Sequence, residues 1–135
     1  MVDIENIIND ENSDRLDVVF NLQKAFDTQL VETRGLQNIT REEWIQKEIL
    51  AMLSELSELL DEVNFKWWKN KKEINEYNIK EELIDIMHFF FSACIKMGMS
   101  AEEIYDIYIR KNRENFARQN GTSQKKGYEI ADNKE

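Results

Sequence analysis

Apolar residues recur at helical intervals along four stretches of this chain. From Ser13 to about Val31 or Thr33, Leu16, Val19, Phe20, Phe26 and Leu30 share one face and predict a first amphipathic helix. Gln23 sits inside that face, and a long amide buried there must find a hydrogen-bond partner. Thr33 to Asn38 is a loop pivoting on Gly35, and Thr40-Arg41-Glu42-Glu43 is a capping box that opens a second helix ending near Val63. This helix has two seams: an apolar one of Ile49, Met52, Leu53, Leu56, Leu59, Leu60 and Val63, and an acidic one of Glu48, Ala51, Glu55, Glu58 and Glu62. Asn64 to Asn78 has no apolar period and reads as a linking loop, with or without a short helix of its own. Its Trp67 and Trp68 must fold back onto the body or face a ligand. A third helix is predicted from about Ile79 to Met97, burying Leu83, Ile86, Met87, Phe90, Cys94 and Met97 and ending at a left-handed Gly98. Ser100-Ala101-Glu102-Glu103 is a second capping box, opening a fourth helix that carries Ile104, Ile107 and Tyr108 and sets Lys111, Asn115 and Arg118 on one side.

These elements predict an all-α protein, a four-to-five-helix up-and-down bundle. Residues 1–12 form an acidic arm, frayed or shortly helical, residues 13–120 the domain, and residues 121–135 a flexible tail. Phe89, Phe90 and Phe91 cover nearly the whole circumference of the third helix, more apolar surface than a lone bundle can cover, so a homodimer is expected. The 135 residues suit one domain, and the absence of proline with only four glycines argues against an all-β fold. The most apolar run, Ile84 to Ile95, is broken by Asp85 and His88 and is too short to span a bilayer. The acidic N-terminus does not resemble a signal peptide, and Cys94 stands alone, so a reducing, cytoplasmic setting is expected. A net charge of −9 argues against a nucleic-acid surface, although the segment from Arg110 to Gly127 holds six basic residues against Glu114 alone.

Two carboxylate pairs carry the candidate chemistry. Glu55-Leu-Ser-Glu58 and Glu82-Leu-Ile-Asp85 each place two acids one turn apart, so two adjacent helices can gather four hard oxygen ligands around a divalent cation. Such runs are usually solvated faces, but no basic residue lies at i+4 to pair with Glu55 or Glu58. Asp85 and His88 form a carboxylate–imidazole pair of the kind di-iron bundles use twice, and a chain with one histidine cannot supply the second copy within a single site away from a symmetry axis. A non-catalytic helical interaction dimer, with the acids serving only solubility, remains the alternative from another class.

The chain resembles the dimeric all-α dUTPases of bacteria and phages, within the wider MazG-like nucleotide pyrophosphohydrolases. The two acidic pairs carry the superfamily likeness. Leu22 to Asp27, the Phe65 to Lys69 loop, Ile84 to Phe89, Lys111 to Gln119 and Gly127-Tyr128 carry the closer one. The resemblance implies hydrolysis of dUTP to dUMP and pyrophosphate, with Mg2+ held by Glu55, Glu58, Glu82 and Asp85. It implies that Glu55 or Glu58 orients and deprotonates the attacking water. Gln23 would read the uracil edge with Asp27 nearby, and Trp68, His88 and Phe89 would line the base and sugar pocket. Lys69, Lys111, Asn115, Arg118, Lys126 and Tyr128 would approach the phosphates as the tail closes. The nearest rival is a MazG-like enzyme with another base preference, such as dCTP.

Overall fold

The computed structural model describes residues 2–128 and residue 130. Among them are five helices and no strands: α1 (Ile4–Ile8), α2 (Arg15–Arg34), α3 (Arg41–Glu62), α4 (Glu76–Lys96) and α5 (Ala101–Gln119). The chain divides into two compact units, one up to Met99 and one from Ser100 on. In the first, α3 packs chiefly on α4, α2 packs on α4, and α1 on α2.

Local chemistry accounts for the helix limits. The open choice at the N-terminus resolves to a short helix, α1, capped by Asp3. Asp14 caps α2 through a reciprocal box with Asp17, and Gly35 closes it at φ 65°, a left-handed conformation that costs glycine nothing. The box expected at Thr40 forms with Glu43. Helix α4 begins at Glu76, three residues before the expected start, because the Asn75 side chain accepts from the Tyr77 and Asn78 amides. Asn64, at φ 58°, exchanges two hydrogen bonds of 2.9 Å with the Lys72 backbone and so ties the α3–α4 loop to its own start. Gly98 is left-handed as expected, and Ser100 supplies the amide-accepting half of its box at 3.1 Å from the Glu103 nitrogen.

The interior departs from the expected one. On α3 the apolar seam faces outward: Ile49, Leu53, Leu56 and Leu60 are exposed, whereas Glu48 is buried and Ala51 and Glu55 are half-buried. On α4, Leu83, Met87, Phe90 and Met97 are exposed, not buried; Phe91, Ser92 and Cys94 are the buried residues. The cause is geometric, since α4 meets α3 across the acidic seam and α2 across Phe20, whose ring stands edge-on to Phe91 at 6.2 Å. The helices thus leave a polar crevice inside and an apolar exterior.

Candidate active site

The facing seams of α3 and α4 bring Glu55, Glu82 and Asp85 together, with one carboxylate oxygen from each lying within 4.8 Å of the others. Glu58, one turn beyond Glu55, is exposed and outside this trio, though close enough for its charge to act on Glu55. With both groups ionised, two oxygens, Glu55 Oε2 and Glu82 Oε2, are buried without a hydrogen-bond partner. The Glu55 carboxyl is pushed up to about 7. The first cause is the hydrogen bond that its protonated form shares with Glu82, followed by burial and by the charges of Glu58, Glu82 and Asp85. The ion pairs of this unit, Arg41–Glu42, Lys66–Asp61, Lys72–Glu62 and Lys96 with Asp27 and Glu48, leave all four acids unpaired among the described residues. Buried carboxylates without counter-charge are costly, and a cluster of hard oxygens with orphaned acceptors fits Mg2+.

A cavity of about 410 Å³ opens from this cluster. Glu55, Asp85, His88 and Phe89 line it on the acidic side, and Gln23, Asp27, Trp44, Glu48, Ser92 and Lys96 on the other. The second group forms a buried network. Ser92 Oγ lies 2.8 Å from Asp27 Oδ2 and 2.6 Å from Glu48 Oε1, while Lys96 Nζ donates to Asp27 at 3.1 Å, to Ser92 at 2.9 Å and to Glu48 at 3.5 Å. The Lys96 ammonium also stands 4.4 Å from the centre of the Trp44 ring. Gln23 finds its partner here, its Nε2 donating to Asp27 Oδ1 at 2.8 Å.

The structure therefore joins Gln23, Asp27, His88 and Phe89 to the acidic site in one cavity. Trp68 is not among the residues lining it: it is exposed and packs edge-on against Trp67, ring centres 4.6 Å apart, and against Phe65. Lys69 lies in a separate shallow depression beside Asp61 and Asn64. Lys111, Asn115, Arg118, Lys126 and Tyr128 belong to the second unit. There Arg118 pairs with Glu114 at 3.1 Å and lies over the Tyr128 ring. Ser123, and then Arg118, hold the Glu114 carboxyl below its ordinary range. Sequence reasoning missed Trp44, Glu48, Ser92 and Lys96 as cavity residues. A signal was present, because Glu48 precedes Glu55, and Ser92 follows Asp85, by seven residues, two turns along the same helix face.

A family model described as dUTPase matches residues 15–101, the span from α2 through α4 that contains every residue of this cavity. The chain belongs to the dUTPase family. Curated relatives of this dUTPase-family chain come from phages. A dCTP pyrophosphatase of Enterobacteria phage LZ5 is 42% identical over 74 residues, covering 55% of this chain and 43% of that protein. A dCTP pyrophosphatase of Enterobacteria phage T4 is 38% identical over 87 residues, covering 54% and 51%. A DNA replication protein of phage T4 is 36% identical over 81 residues, covering 50% and 21%. The chain thus spans about half the length, or less, of the curated relatives it matches. No solved structure matches it.

Proposed function

We propose that this protein is a Mg2+-dependent pyrophosphohydrolase of deoxypyrimidine triphosphates without a 5-methyl group, dUTP or dCTP, releasing the monophosphate and pyrophosphate. The observation that carries the reading is the trio Glu55, Glu82 and Asp85, with two orphaned buried oxygens, opening into a nucleoside-sized cavity. These three acids, joined by Glu58, would hold the metal; when bound, it neutralises charge growing on the phosphate oxygens and acidifies water. The chain's own part is to position and to accept a proton. Water attacks phosphorus, the bond to the pyrophosphate leaving group breaks, and the proton passes to a carboxylate. Glu58, exposed and outside the trio, serves as that acceptor on α3, with Glu55 one turn away. His88 and Phe89 border the sugar and base, and Gln23, its amide fixed by Asp27, faces the pyrimidine edge. Lys69 and Trp68 would reach the triphosphate on closure of their loop.

A second reading, with dCTP as the preferred nucleotide, is favoured by the relatives that bear the name dCTP pyrophosphatase. The exposed seam of α3 and the exposed Phe90 support a homodimer, because a chain that leaves this many large apolar residues uncovered gains by pairing with a copy of itself. Pyrophosphate release from dUTP, dCTP, dTTP and UTP, each with and without Mg2+, tests the proposal. Magnesium-dependent release from the deoxypyrimidines lacking a methyl group supports it. Release from none of the four sinks it.

A further inference from the structure

The end of the cavity opposite the metal-binding acids is built from two carboxylates, one hydroxyl and one ammonium: Asp27, Glu48, Ser92 and Lys96. Asp27, Glu48 and Ser92 are buried, so their hydrogen bonds must balance within the network or with whatever enters the cavity. They do not balance internally. Ser92 has one hydroxyl proton, yet its oxygen lies 2.8 Å from a carboxylate oxygen of Asp27 and 2.6 Å from one of Glu48. Lys96 already spends its donors on Asp27, Ser92 and, at 3.5 Å, Glu48. Asp27 uses its second oxygen on Gln23. Glu48 shows bonds only through Oε1, which leaves Oε2 as an acceptor on a residue that lines the cavity. The network carries one negative charge in excess and is one donor short.

Distance along the helices says what part of a nucleotide meets it. Glu48 stands two turns from Glu55 on α3, and Ser92 two turns from Asp85 on α4, about 10 Å in each case. A nucleoside placed with its phosphates at the acidic trio therefore sets the far edge of its base against Glu48. We infer that Glu48, held in place by Ser92 and Lys96, reads the substituent at C4 of the pyrimidine and selects a base bearing an amino group there over one bearing a carbonyl. An exocyclic amine gives the network the donor it lacks. A carbonyl oxygen would instead face a carboxylate oxygen, two acceptors with no proton between them, which is discrimination by repulsion as well as by attraction. Lys96 acts as a positioning residue, since it touches both carboxylates without being free to donate further.

This inference rests on the pyrophosphohydrolase reading, and one experiment separates the two. Initial rates with Mg2+ are measured on dCTP and dUTP for the full chain and for Glu48→Gln, which keeps the size of the side chain but trades an acceptor for a donor. The unmodified chain is expected to show a kcat/KM at least about tenfold higher for dCTP than for dUTP. The Glu48→Gln variant is expected to reverse that ratio, mainly through KM. A ratio that already favours dUTP, or one that the substitution leaves in place, overturns the inference while the pyrophosphohydrolase reading stands. Release from neither nucleotide by the unmodified chain overturns both. The ratio in the unmodified chain needs no variant, so a failure of Glu48→Gln to fold still leaves a decisive measurement.

Discussion

At the scale of single residues, Glu55 is the most informative group. Its carboxyl is raised from an ordinary 4.5 to about 7, so without metal the folded protein holds a proton that the unfolded chain would release. Stability from this source is fully present below 4.5 and is lost as pH rises through about 7. In EDTA, thermal melts should therefore show Glu55→Gln gaining on the unmodified protein between pH 5 and pH 8; a difference that stays level across that window would count against the assigned environment. Magnesium must displace the same proton, so turnover at limiting Mg2+ should rise over that range. Glu82→Gln should lower turnover by about a hundredfold or more while circular dichroism retains the helical signal, as expected for loss of a metal ligand. The pairs that define this site were legible in the sequence, because i, i+3 spacing places two acids on one face whatever else the helix does. Glu48, Ser92 and Lys96 were not. Their bonds to one another and to Asp27 join α2, α3 and α4 across sequence separations of 44, 65 and 69 residues, and no local period reports such a meeting.

At the scale of elements, capping was legible at Thr40 and Ser100 but passed over at Asp14 and Asn75, and facing was not legible. Thr40 and Glu43 form the reciprocal box that their spacing announces. Thr40→Ala should cost about 1 kcal/mol, read as an earlier urea midpoint, with little effect on metal binding. Asn64 in its left-handed turn carries two hydrogen bonds to Lys72, and Asn64→Ala should loosen the α3–α4 loop, seen as faster amide exchange around Phe65 to Lys72. The two seams of α3 were visible from the sequence, but an amphipathic pattern shows only that two faces differ. Here the acidic face meets α4 and the leucine face is left outside. The outcome is intelligible on the proposed reading, since a metal held between α3 and α4 would require their acids to converge.

At the scale of the whole molecule, the exposed Leu50, Leu53 and Phe90 set the expectation of self-association. Light scattering should return twice the chain mass of 16.1 kDa, and Leu53→Glu should shift the mass toward the single chain and reduce turnover with it. A single-chain mass for the unmodified protein would remove the dimer from the proposal. Ligand linkage gives a separate check: Mg2+ at about a hundred times its Kd should stabilise the protein by about 2.7 kcal/mol, and Glu82→Gln should abolish most of that gain.

By itself the sequence determined the all-helical class, the caps, the four long helices and the carboxylate pairs, because each depends on residues within a turn or two of one another. Tertiary structure alone decided which seam faces inward, which buried residues are charged, and which side chains share the cavity with the acidic cluster. Those outcomes depend on how α2, α3 and α4 meet. A half-buried lysine between two carboxylates is stable only when its partners arrive from other helices, so no local stretch of sequence could have announced it.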